Sequence, residues 1–297
     1  MLTLATRLSL IAACAGFAVC SNAHAEEPIL APDALHRAPT VAHVYINVRT
    51  GERTISSTPT STRSEMLPRF VNADTASNGN YFYGLDSPAA SELEAVNWGD
   101  IPYDSTVDAF SFAYSTNILA PTPGPFVPGL AATLWWCDCD DGRNDPNAVP
   151  LWSFTVPNLA GVPAGGNGQV AYIYTLDLEG SGFEFEIGDT DGSFVGYTGQ
   201  SSTGCGNTLA DFSWSYRFHQ GQTTPIGTIG PALALPDPSL GVPDVMDLFL
   251  NPGGTTHESY VRSVWFGGWP VAPYASTYMG LYGSNSRDCG PADFNAD

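Results

Sequence analysis

Lysine is absent from this chain: all 10 basic residues are arginine, set against 30 acidic ones. That absence excludes Schiff-base chemistry on a lysine amine. The formal net charge of −20 excludes a nucleic-acid ligand, because a polyanion would be repelled. Neither Gly-x-Ser-x-Gly nor His-Glu-x-x-His occurs, so the nucleophile elbow and the helical zinc motif are both missing. Histidine is sparse. His36, His43, His219 and His257 lie beyond residue 25, and none has a spacing that marks a catalytic base. His43 alternates within a strand pattern, and His257 follows the turn Asn251-Pro252-Gly253-Gly254. Long apolar runs are lacking too. The stretch from Leu8 to Cys20 is too short to span a bilayer as a helix, and nothing later approaches it. The mature chain is therefore expected to carry no transmembrane segment.

What is present begins with an address. Arg7 is the only charge before Glu26, the apolar stretch follows it, and Ala23-His24-Ala25 supplies small residues where a signal peptidase reads. This three-part layout predicts a cleavable signal over residues 1–25 and a mature start at Glu26. The expected location is secreted, extracellular or cell-surface. Ile11-Ala12-Ala13-Cys14 also resembles a lipobox, which would instead place a lipid on Cys14. Loss of Arg7 with the signal takes the charge one unit below −20, to −21. Such acidity suits solubility in cation-rich surroundings, cation binding, or both.

Four cysteines follow the signal: Cys137, Cys139, Cys205 and Cys289. In an exported chain an even count suggests two disulfides. Cys137 and Cys139 share one strand face and are better placed to reach separate partners than each other. We expect Cys205 to pair with Cys137 or Cys139. A soft-metal site, with His219 as the nearest histidine, is the rival reading.

Hydrophobic residues make up 43% of the chain and aromatics 12%, enough for a packed core. The 31 glycines and 24 prolines are spread throughout, and short alternating runs recur between turn residues. Ala42 to Val48, then Thr50-Gly51-Glu52, then Arg53 to Ser56 read as a hairpin. Further strands are expected at 107–114, 132–137, 151–156, 170–178, 183–187, 194–197, 212–218, 245–250, 260–266 and 276–282. A helix is expected only at Ala89–Val96, with Ser87 as N-cap and Pro88 at the first position. Residues 26–40 and 57–80 read as loops. The pattern predicts one all-β domain over 26–285, a two-sheet antiparallel β-sandwich of jelly-roll-like type.

The most suggestive acidic run is Phe183-Glu184-Phe185-Glu186-Ile187-Gly188-Asp189. On one strand, Glu184, Glu186 and Asp189 could bring an acid and a nucleophile to a glycosidic bond. Jelly-roll glucanases use a similar spacing in the order Glu-x-Asp-x-x-Glu, from which this run departs. The same pattern also describes a strand with Phe183, Phe185 and Ile187 inward and the glutamates in water. Asp138, Asp140, Asp141, Asn144 and Asp145 crowd one loop, and Asp189 and Asp191 another. Such oxygen-rich loops suit Ca²⁺. Trp135-Trp136 and Trp265-Phe266-Gly267-Gly268-Trp269 offer flat apolar faces, so Trp135, Trp265 and Trp269 are candidate binding residues for sugar or protein, or else core.

At the C-terminus, Asp293, Asn295 and Asp297 fall at positions 1, 3 and 5 of an EF-hand-like loop, with the later positions missing. Cys289-Gly290-Pro291-Ala292-Asp293-Phe294-Asn295 resembles the junction in exported planctomycete-type proteins that carry a C-terminal dockerin-like anchor. The resemblance covers only about nine residues, Cys289 to Asp297, within a C-terminal segment 286–297. It implies a linker and an incomplete Ca²⁺ half-loop at the start of an anchor. Two functions are compatible with these observations. One is a non-catalytic surface module that binds glycan or an extracellular protein. The other is a secreted glycan-active hydrolase using Glu184 and Glu186.

Overall fold

The structure is a computed structural model and describes residues 35–58, 67–76, 78–86, 93–102, 105–137, 152–187, 209–220, 227–250, 259–264 and 275–285. Its described residues form an all-β fold: β1 (Leu35–Arg37), β2 (Thr40–Asn47), β3 (Arg53–Ser56), β4 (Pro68–Asn72), β5 (Tyr81–Tyr83), β6 (Leu85–Asp86), β7 (Leu93–Pro102), β8 (Ser105–Thr116), β9 (Leu130–Cys137), β10 (Trp152–Pro157), β11 (Val170–Asp177), β12 (Phe185–Ile187), β13 (Leu209–Gln220), β14 (Thr228–Pro231), β15 (Leu233–Ala234), β16 (Met246–Leu250), β17 (Ser259–Val264), β18 (Ser276–Thr277) and β19 (Met279–Asn285). One sheet runs β10-β9-β13-β7-β16-β17. The other has nine strands along the path β3-β2-β11-β8-β14-β6, with β12 and β19 also pairing β8 and β4 pairing β19. Two small two-stranded sheets, β1-β5 and β15-β18, complete the set.

The two large sheets share one core. Phe110, Phe112 and Tyr114 alternate inward along β8 and meet Trp136 of β9 and Tyr216 and Phe218 of β13. The ring centroids lie 4.9 Å apart for Phe110–Trp136, 6.2 Å for Phe112–Tyr216 and 5.8 Å for Tyr114–Phe218. Side chains two apart on a strand share a face, so each strand lays a row of rings into the interior.

The expected hairpin is there. His43 pairs with Ser56 and Ile46 with Arg53 across β2 and β3. Asn47 shapes the turn by accepting the Thr50 N–H on Oδ1 at 2.9 Å, and Gly51 takes a φ of +74° that L-residues rarely adopt. The sandwich is mostly antiparallel, with β2 and β11 paired parallel. That pair is far apart in sequence, so a long connection, which parallel neighbours require, is available.

Three local expectations are corrected. Residues 93–96 do not end a helix; they open β7, which pairs β13 on one side and β16 on the other. Glu94, Ala95, Val96 and Asn97 are consecutively buried because β7 is covered on both faces, and such a strand shows no period of two. The segment 57–80 is not all loop, since Pro68–Asn72 forms β4 against β19. Likewise 26–40 contains β1 and the start of β2. The strand expected at 194–197 lies outside the described residues, as do the signal segment, residues 89–92 and the C-terminal half-loop. No helix among the described residues is long and apolar enough to cross a membrane.

Candidate functional site

β10 is the edge strand of the six-stranded sheet, and its Trp152 and Phe154 pair with Trp136 and Leu134 on the inward face. Across the opening stands β12. Phe185 stacks on Trp152 at 5.7 Å and 13°, and packs on Trp136 at 4.9 Å. Beyond them Phe183 meets Phe154 edge-on, with centroids 6.0 Å apart and planes at 84°. Phe183 is 49% exposed. It is thus an aromatic ring in water, backed by a second ring that fixes its pose. Gly180 and Gly182, at φ +64° and +78°, make the turn that carries Phe183 out of the sheet.

The other end of β10 is tied across the same seam. Arg53 of β3 donates to the carbonyls of Pro157 at 3.1 Å and Asn158 at 3.2 Å. Its guanidinium also sits over the Phe126 ring at 5.2 Å. Ile55 on the same strand pairs with the inward Val44 and is 39% exposed. Ile55 and Phe183 are thus the half-exposed apolar side chains of the strip along this seam.

The two sequence-predicted acids next to this strip do different things. Glu186 lies exposed on β12, opposite Thr106. Glu184 lies before β12, and its Oε1 accepts the Ser181 N–H at 3.2 Å. Its carboxyl titrates lower than usual because backbone N–H groups, its own and those of residues 180 to 182, stabilise the anion. Phe183, placed inward by the alternating sequence pattern, is instead outside the strand. Asp189, the third acid of that run, lies outside the described residues.

Trp135 sits elsewhere. It is on the opposite face of β9 from Trp136, between Ser153 and Ser215, and is 5% exposed. It supplies no exposed platform. Trp265 and Trp269 lie outside the described residues. So do Asp138, Asp140, Asp141, Asn144, Asp145, Asp189, Asp191, Asp293, Asn295 and Asp297, which carry every calcium expectation. Among the described residues no group of three His, Cys, Asp or Glu could hold a metal. Cys137 is half of a disulfide. Cys139, Cys205 and Cys289 lie outside the described residues, so no bridge joins two described cysteines.

Trp135's face also bears groups that the sequence did not single out. Ser215 donates to Glu94 Oε1 at 2.5 Å and Ser263 to Asp247 Oδ1 at 2.6 Å, and all four residues are buried. Farther along, His219 Nε2 lies 2.8 Å from Thr133 Oγ1, and Nδ1 lies 3.2 Å from Arg217 Nη2. Arginine only donates, so Nδ1 is the acceptor and Nε2 carries the proton. That tautomer cannot take a proton from Thr133, and the pair is no nucleophile and base. Burial, then the Arg217 charge, pulls the His219 pKa down to about 4.

Comparison of the chain with protein-family models, curated proteins and solved structures finds no match to any of them.

Proposed function

We propose that this protein is an exported, non-catalytic binding module of jelly-roll type, and that its ligand is an uncharged glycan. The observation that carries the reading is Phe183: a half-exposed ring, braced by Phe154, at the rim of an aromatic seam. Sugar rings stack their C–H faces on such platforms, and a braced ring loses little freedom on binding. Exposed Glu186 can accept sugar hydroxyls alongside. The net charge of −20 disfavours sulfated or uronic-acid chains and leaves neutral ones. The signal-like residues 1–25 and the dockerin-like C-terminal stretch fit export and attachment, with Ca²⁺ serving the attachment loop when that loop is complete.

A hydrolase is the second reading, and the acids next to the platform do not favour it. A retaining or inverting pair needs one carboxyl whose pKa is raised so that it can donate a proton. Glu184 is shifted the other way. The test is a glycan array probed with the mature protein, followed by calorimetry on any hit and a reducing-sugar assay on the same glycan. Binding of a neutral glycan without bond cleavage supports the module. Cleavage, or binding confined to a protein partner, overturns it.

A further inference from the structure

The chain contains two Asn-Gly dipeptides, Asn78-Gly79 and Asn167-Gly168. Asn-Gly is the sequence most open to attack of a backbone nitrogen on the preceding side chain, because glycine has no Cβ to obstruct the approach. The two sites have the same chemistry and opposite surroundings.

Asn78 is 0% exposed. Its Nδ2, the group that would have to leave, donates to the Ala234 carbonyl at 3.1 Å. The Gly79 nitrogen, which would have to attack, donates to the Ala76 carbonyl at 2.9 Å. A Cβ at Gly79 would lie 3.0 Å from the Tyr81 ring, so the turn is also tightly packed. Asn167 lies in the connection between Val162 and β11, where residues 163–168 are all exposed. Gly168 takes a φ of +86°, and nothing lies within 4 Å of where its Cβ would be. Among the described residues no hydrogen bond engages either the Asn167 side chain or the Gly168 N–H.

We infer that Asn167 is a site of spontaneous deamidation in the folded protein, and that the fold shields Asn78 from the same reaction. The Gly168 nitrogen bonds to Asn167 Cγ as the Cγ–Nδ2 bond breaks. Nδ2 leaves as ammonia with the Gly168 amide proton, giving a succinimide. Water then opens the ring at either carbonyl, to aspartate or to isoaspartate. Nothing is oxidised or reduced, and water is the only co-reactant. The product adds one negative charge to the loop. In the isoaspartate form it also lengthens the backbone by one methylene.

The experiment ages the intact folded protein in mildly alkaline buffer and maps chymotryptic peptides by mass spectrometry. Isoaspartate is scored separately by methyl transfer from an isoaspartyl methyltransferase. A second arm runs the protein unfolded in urea, and a third uses Asn167→Gln. Asn167 should convert at least about a hundredfold faster than Asn78 in the folded protein, which corresponds to an opening free energy of about 2.7 kcal/mol or more at Asn78. In urea the two rates should converge, and Asn167→Gln should remove the methyl-accepting signal from the folded protein. Equal rates in the folded protein overturn the proposal, as does an unreactive Asn167. An Asn78 that stays inert in urea would show that the fold is not what protects it, and overturns the second half.

Discussion

Tyr114 and Tyr174 grip one residue from both sides: the Tyr114 hydroxyl donates to the Ala160 carbonyl at 2.6 Å, and the Tyr174 hydroxyl accepts the Ala160 N–H at 2.8 Å. Their rings lie 5.7 Å apart on neighbouring strands of the nine-stranded sheet. Tyr172 adds a third contact, donating to the Gly161 carbonyl at 2.6 Å. Backbone bonds tie Leu159 to Leu130 and Val127, Gly161 to Pro125, and Val162 to Ile118 and Ala120, which leaves the Ala160 N–H and carbonyl and the Gly161 carbonyl to the tyrosines. The tyrosines thus provide polar partners that a regular strand would have found in a ladder.

Replacing Tyr114 with Phe leaves the buried Ala160 carbonyl without that donor. The expected loss is about 1–3 kcal/mol of unfolding free energy, read from urea denaturation. Tyr174→Phe orphans the N–H of the same residue and should cost a similar amount. Because the two hydroxyls serve one peptide unit, the double variant should lose less than the sum. Additive losses would show that the hydroxyls act independently.

These tyrosines also set an alkaline limit. Burial raises the Tyr174 pKa to about 12 and is likewise the main cause for Tyr278, also about 12. Burial also raises Tyr114 and Tyr216 well above the ordinary phenol value. The unfolded value is about 10, so above that pH the unfolded chain releases protons that the folded one keeps. Stability is then full below pH 10 and falls as pH rises through 12. We expect tyrosinate absorbance and loss of β-sheet circular dichroism to appear together in that window. Titration of all 13 tyrosines while the sheet persists would contradict the burial of these hydroxyls.

The pattern of two was legible wherever one face of a strand was core and the other was not. β8, β9, β11 and β13 alternate large rings with small or polar residues; the expected spans of β8, β9 and β13 fall within the observed ones, and β11 ends at Asp177, one residue short of its expected end. β7 was not legible, because Glu94 and Asn97 are polar residues buried in mid-sheet and break the alternation. Their roles depend on distant partners: Asn97 accepts the Thr277 N–H and donates to the Val245 carbonyl, both at 2.7 Å. No local signal encodes those contacts. Phe183 was misplaced for a related reason. Phe-Glu-Phe-Glu-Ile alternates perfectly, but the Gly180-Ser181-Gly182 turn delays the strand to Phe185 and leaves Phe183 outside it.

Asn97→Leu tests the long-range polar joint. Leucine nearly matches the volume but offers neither group, so a buried N–H and a buried carbonyl lose their partner. The expected cost is about 2–5 kcal/mol, measured by chemical denaturation. A cost under about 1 kcal/mol would mean that the backbone finds other partners.

Gly161→Ala should be worse than its small volume suggests. The new methyl would stand 2.5 Å from the Ile118 carbonyl oxygen and 2.6 Å from Val127 Cγ2. That carbonyl accepts the Val162 N–H at 2.7 Å, so moving it away breaks a bond that holds the crossing segment. Overpacking of this kind costs about 1–3 kcal/mol. The midpoint of thermal unfolding should drop, and a Gly166→Ala control, whose nearest neighbours are 3.0 Å away in an exposed loop, should drop less.

Phe183 separates recognition from folding. Half of its surface is already in water, so Phe183→Ala should cost under about 1.5 kcal/mol of stability. Its loss should nevertheless weaken glycan affinity about tenfold or more, since the stacking platform is gone while the seam behind it remains. Phe154→Ala should do the reverse in part: Phe154 is only partly exposed, packs on the Phe110 ring at 5.6 Å, and should lose more stability. Phe183→Trp keeps a platform and should keep binding. Calorimetry on the three variants with one neutral oligosaccharide, beside denaturation curves, reads both quantities. If Phe183→Ala binds as the parent does, the sugar lies elsewhere on the molecule. If it unfolds as readily as Phe154→Ala, the ring belongs to the core and not to a binding face.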